Sequence, residues 1–122
     1  VDIPKITRQE LAEIMVGKMQ DIEKKFGYKN GNYGAGEDAF FNFRSTANRA
    51  VIPFLRAKYG IEVSEGDAMF LTLMVYMDKH LTALAKNGLA DKEFEDRNED
   101  DIVYSLIAIA MARVATKGGD TD

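Results

Sequence analysis

Apolar side chains recur along this chain at three- and four-residue steps, the spacing of amphipathic helices. In the first stretch Leu11, Ile14, Met15, Met19, Ile22 and Phe26 share one face, interrupted only by Lys18. Thr7-x-x-Glu10 is a capping box in front of it, so a helix is expected over 8–26, after a lead-in of residues 1–6 and with Gly27 as its stop. The second stretch carries Phe40, Phe43, Ala47, Val51 and Phe54, widened by Phe41 and Leu55, and predicts a helix over 37–59. Pro53 removes an internal hydrogen bond there, which predicts a kink or break near 49–53. Ser64-x-x-Asp67 opens a third helix over 65–87, closed by Asn87-Gly88. The fourth, over 91–115, starts with acids and continues into the apolar run of residues 102–112, ahead of a flexible tail at 116–122.

The apolar residues of the third and fourth helices do not keep to one stripe. Ala68, Met69, Phe70, Leu71, Leu73, Met74, Val75, Tyr76 and Met77 point to every side, a pattern for helices enclosed on most sides. Two such helices cannot both be enclosed by the other two in so short a chain, so a homo-oligomer, dimer or higher, is expected. The predicted architecture is all-α: one four-helix bundle-like domain, with a kinked second helix, built as an oligomer.

Composition narrows the classes. A chain of 122 residues that is 46% hydrophobic can form one domain with its own core. It has no cysteine, which excludes disulfide frameworks, thiolate metal sites and cysteine nucleophiles, and makes a reducing cytoplasm the expected location. The longest apolar run is too short to span a bilayer, so no membrane partner is expected. The net charge of -4 argues against nucleic acid as a partner, because clustered Lys and Arg hold a phosphate backbone. A small anionic ligand remains open.

Four places could carry chemistry. Residues 27–36 contain four glycines with Tyr28 and Tyr33, readable as a plain connection or as a phosphate-cradling loop, although neither the Walker pattern nor the dinucleotide fingerprint is present. Asn42, Arg44, Asn48 and Arg49 flank the second apolar stripe, as a solvated face or a polar seam along a ligand pocket. Lys79 and His80, the single histidine, follow the apolar half of the third helix; the histidine is structural or a ligand contact, and periodicity leaves the lysine in solvent. In the fourth helix Glu93, Asp96, Asp100 and Tyr104 fall in one row on a continuous helix. Those carboxylates either hold Mg²⁺, which relieves their mutual repulsion and presents a phosphate, or are solvated charge set against the helix dipole.

Asp38-x-Phe40-x-Asn42-Phe43, then Asp78-Lys79-His80-Leu81, then Asp96-x3-Asp100-x3-Tyr104, in that order, resemble small all-helical bacteriophage proteins: the nucleotide-modification-associated domains and related phage domains of unknown function. The likeness spans roughly residues 18–112. Those domains are in turn similar to the all-α nucleoside triphosphate pyrophosphohydrolases of the MazG and dimeric dUTPase type, which hold Mg²⁺ through paired acidic motifs on two helices. Glu93-x-x-Asp96 is a partial counterpart of the second motif, and the first has none. The resemblance implies a phage-encoded protein in the host cytoplasm that captures a nucleotide or nucleotide-derived signal without turnover. Asn42, Arg44, Asn48, Lys79, His80 and Tyr104 are the ligand-binding candidates, and Glu93, Asp96 and Asp100 the metal candidates. A Mg²⁺-dependent pyrophosphohydrolase is the alternative, and a structural or partner-binding helical oligomer the third reading.

Overall fold

The computed structural model describes the backbone of residues 2–33 and 38–120, and the side chains of residues 2–26 and 38–117. The chain is all-α and divides into two compact units, residues 1–39 and 40–122. No helix among the described residues is long and apolar enough to cross a membrane.

The first unit is built on α1, Arg8–Tyr33. The expected capping box starts it: Thr7 Oγ1 accepts the Glu10 N–H at 3.0 Å, and Glu10 Oε1 accepts the Thr7 N–H at 3.3 Å. Its apolar face buries Ile22 but leaves Leu11, Ile14, Met15, Met19 and Phe26 exposed. The helix does not stop at Gly27; it continues to Tyr33. Glycine in a helix interior costs about 1 kcal/mol relative to alanine, which discourages a helix without ending it. Within the expected loop, residues 34–36 lie outside the described residues, and so do the Tyr28 and Tyr33 side chains.

The second unit opens with a rod of three consecutive segments: α2, Phe41–Thr46, a π-helical turn over Ala47–Val51, and α3, Ile52–Tyr59. The proline expected to kink this rod stands just beyond the π turn. Pro53 cannot donate to the carbonyl four residues earlier, and the Ile52 N–H reaches back to the Ala47 carbonyl. The lost bond is absorbed by widening one turn instead of breaking the rod. Gly60, at φ 63°, caps α3 in the left-handed conformation that side chains with a Cβ resist.

Next comes α4, Glu65–Asn87, with the bounds its cap residues predict. Ser64 Oγ accepts the Asp67 N–H at 3.0 Å, which satisfies a donor that the first turn leaves without a partner. A 3₁₀ turn at Gly88–Ala90 leads to α5, Phe94–Asp120. That last helix extends through the expected tail to Asp120, again across two glycines. Its start at Phe94 places Glu93 before the helix, so the predicted four-residue row begins at Asp96.

The core of this unit lies where the α2–π–α3 rod and α5 pack on α4. Phe43, Ala47, Ala68, Met69 and Leu73 are buried there, and Tyr104, Ile107, Ala108 and Met111 of α5 close over them. The inward side of α4 is therefore Ala68, Met69, Thr72 and Leu73. Its Phe70, Leu71, Met74, Val75 and Leu81 remain exposed, so part of the apolar surplus read from the sequence is uncovered among the described residues.

Candidate functional site

Where α4 meets the N-terminal half of α5, polar groups enter the apolar core. Phe43, Tyr76 and Tyr104 form a ring cluster, with centroid separations of 6.0 Å for Phe43–Tyr76, 6.3 Å for Phe43–Tyr104 and 6.1 Å for Tyr76–Tyr104. His80 lies one helical turn beyond Tyr76 on α4 and stacks on Tyr104 at 6.4 Å and 24°. Its Nε2 is 3.4 Å from Asp100 Oδ2, an ion pair whenever the imidazole carries its second proton. On the other ring nitrogen, Nδ1 is buried without a hydrogen-bond partner, as are both carboxylate oxygens of Asp101.

Buried polar atoms almost always find partners, because an unmade hydrogen bond costs the desolvation of the group. The three such atoms belong to His80 on α4 and Asp101 on α5, two residues close enough to interact electrostatically. Burial pushes the Asp101 carboxyl above its ordinary range; nearby His80 opposes the shift and Asp100 adds to it. Tyr104 is also pushed up, chiefly by burial and then by Asp100, Tyr76 and Asp101. The cluster thus offers ring faces for stacking, an imidazole nitrogen, and a carboxyl that retains its proton more readily than an exposed aspartate.

A second polar group stands on α2, the π turn and α4. Arg44 pairs with Glu65, and Asn48 donates to the other oxygen of Glu65 at 2.8 Å and to the Arg44 carbonyl at 3.1 Å. Arg44 and Asn48 are brought together by an acid from the first turn of α4, and much of the guanidinium's charge is already answered. Asn42 and Lys79 are exposed.

The acids of the last segment divide. Asp91, which is buried, accepts from Asn87 Nδ2 at 2.7 Å, from the Glu93 N–H at 2.7 Å and from Arg97 Nε at 3.3 Å. These bonds hold its carboxyl below the usual range, the Asn87 bond first. Glu93 pairs with Arg97 at 2.9 Å, Asp96 is exposed in the first turn of α5, and Asp100 faces His80. Among the described residues, no three His, Asp or Glu side chains gather closely enough to share a metal ion. Glu93 and Asp100 are engaged by Arg97 and His80 on different sides, and Asp96 stays in solvent. An open cleft of ≈ 620 Å³ beside Asp91 is lined by Lys86, Lys92 and Arg97 as well as Glu93.

Of the residues singled out from the sequence, the structure joins His80, Asp100 and Tyr104 in one cluster, and Arg44 with Asn48 in another. Sequence reasoning missed Tyr76, Asp101 and Glu65. Tyr76 was legible as one helical turn before His80. Asp101 stands one position off the acidic row, and nothing local announces its burial. No family model, curated protein or solved structure matches the chain.

Proposed function

We propose that this chain captures a nucleotide or nucleotide-derived signal without turning it over, as an oligomer of helical subunits. The observation that carries the reading is the unsatisfied buried trio, His80 Nδ1 and the two Asp101 oxygens, set against the Tyr76 and Tyr104 rings. A base stacks on an aromatic face for about 1–3 kcal/mol whatever its identity. The heteroatoms of its edge suit an imidazole nitrogen and a carboxyl that burial pushes towards its protonated form, which together can donate and accept. Exposed Lys79, next to His80 on α4, is available to a phosphate as a point charge. The resemblance of the Asp78-Lys79-His80-Leu81 and Asp96-x3-Asp100-x3-Tyr104 segments to phage nucleotide-modification-associated domains supports the same reading. Capture is favoured over hydrolysis because the acids of the last segment do not converge.

Thermal-shift screening of nucleotides with and without Mg²⁺, followed by a phosphate and pyrophosphate release assay, tests this. The expected result is a raised Tm without product, abolished by Asp101→Asn or His80→Gln and weakened by Lys79→Ala. Mg²⁺-dependent product would replace capture with pyrophosphohydrolysis. A Tm indifferent to every nucleotide would leave a structural or partner-binding helical oligomer.

A further inference from the structure

The corner where α4 ends and α5 begins holds an excess of positive charge, in a chain whose net charge is -4. Its open cleft of ≈ 620 Å³ sets Lys86, Lys92 and Arg97 against two carboxylates, Asp91 and Glu93. Both carboxylates answer the same cation: Arg97 Nε lies 3.3 Å from Asp91 Oδ1, and Arg97 Nη2 lies 2.9 Å from Glu93 Oε2. Neither lysine has an ion pair or a hydrogen bond among the described residues. Lys86 stands in the last turn of α4, where the helix dipole favours a cation. Lys92 stands just ahead of Phe94, the first residue of α5, where the dipole opposes one. The fold leaves the charge of Lys92 unanswered.

The two carboxylates are held differently. Asp91 is buried and also accepts from Asn87 and from the Glu93 N–H, so it is fixed, and it fixes the Nε edge of Arg97. The Glu93 side chain is 65% exposed against 22% for Arg97, which makes Glu93 a solvated, exchangeable partner. A guanidinium anchored at one edge offers the other to an oxyanion in two-point geometry.

We infer that this corner binds a phosphate group, inorganic or carried by a small ester, between Lys86, Lys92 and the Nη edge of Arg97, with Glu93 displaced into solvent. Once Glu93 has swung out, three cations face one carboxylate, an excess of positive charge that a phosphate dianion balances. The cleft falls within the roughly 300–1,000 Å³ of small-molecule sites, which leaves room beside the phosphate for the organic part of an ester. Neither His80 nor Asp101 lines it. The site is therefore separate from the aromatic cluster, and the inference does not rest on nucleotide capture.

Inorganic phosphate titrated into the isotope-labelled chain, against sodium chloride at matched ionic strength, tests this by nuclear magnetic resonance. The Arg97 Nε–H signal and the amides of residues 91–97 should shift along a saturating curve. Lys86→Gln and Lys92→Gln, both at exposed positions where little folding energy is at stake, should each weaken binding about tenfold. Lys79→Ala, also exposed on α4 but outside the cleft, should not. Glu93→Gln removes the competitor for Arg97 and should tighten binding. Asp96→Asn makes the same change of charge at an exposed carboxylate outside the cleft and should tighten it less. Asp101→Asn and His80→Gln should leave it unchanged, so a failure of nucleotide capture does not move this readout. Glycerol phosphate then distinguishes the sources: tighter binding than inorganic phosphate assigns an ester, and binding no tighter assigns the free ion. Shifts that do not saturate, or that chloride reproduces, would overturn the inference. So would wild-type affinity in both lysine variants, an equal gain in Glu93→Gln and Asp96→Asn, or loss of the shifts in Asp101→Asn.

Discussion

Asp91 and Asp101, ten residues apart, show how environment gives one side chain opposite effects on stability. Asp91 receives bonds from Asn87, the Glu93 backbone and Arg97, and its carboxyl is held below the ordinary value of 3.8. The folded chain therefore favours the charged form, and the stability this contributes is present above that value and is lost as pH falls through the folded pKa. Asp101 is raised above 3.8 by burial, with His80 of α4 pulling it down and Asp100 beside it pushing it up. The folded chain holds this proton longer than the unfolded chain does. Its contribution is full below the ordinary value and disappears as pH rises through the folded pKa. Two melting profiles against pH follow. Asp91→Ala should melt below wild type at neutral pH and converge on it in acid. Asp101→Asn, measured without nucleotide, should melt above wild type at neutral pH, with the gain shrinking towards about pH 4, where the unfolded carboxyl also protonates. A gain that stays constant across the range would mean that the Asp101 proton does not link to folding.

Individual elements were legible wherever a side chain sets their ends. The bounds of α4 follow from Ser64 before it and Gly88 after it, and the distortion of the α2–α3 rod follows from Pro53. At Gly27 and across Gly118-Gly119 the helices continue, whereas at Gly60 and Gly88, both at positive φ, they end. Glycine makes a stop possible without compelling one, and Pro53 distorts its rod without ending it. The site was legible in part for a related reason. Helical spacing placed Asp100 and Tyr104 on one row, but the choice between Asp100, facing His80, and Asp101, whose carboxylate oxygens are buried, is made by α4. No residue of α5 encodes that choice locally. The same contrast between ends and packing orders the expected stability losses. Ser64→Ala removes one capping bond and should cost about 1 kcal/mol. Leu73→Ala removes a fully buried side chain where α4 meets its neighbours and should cost about 2–5 kcal/mol. Urea melts at fixed chain concentration would rank them, and a larger loss at Ser64 would mean that packing on α4 contributes less than its cap.

At the scale of the molecule, the apolar surplus of the third and fourth predicted helices is the main unresolved demand of this sequence. The second unit answers part of it, burying Ala68, Met69 and Leu73 while leaving Phe70, Leu71, Met74 and Val75 on α4 and Ile102, Leu106 and Ile109 on α5 in solvent. Scattered exposed apolar residues are ordinary, but residues aligned on single helix faces opposite the core are the mark of a contact surface. If copies of the chain cover them, folding and association are one equilibrium, and the melting temperature must depend on concentration. A hundredfold increase in chain concentration, from about 5 to about 500 μM, stabilises a folded dimer by roughly 2.7 kcal/mol at room temperature, enough to raise the Tm by several degrees in a domain of this size. Leu106→Asp should flatten that dependence if α5 is the dominant contact. If the exposed face of α4 associates independently, part of the slope survives in that variant and is removed only when Met74→Asp is added. A Tm that stays constant over the same range in the unmodified chain would show that these faces need no second copy under those conditions.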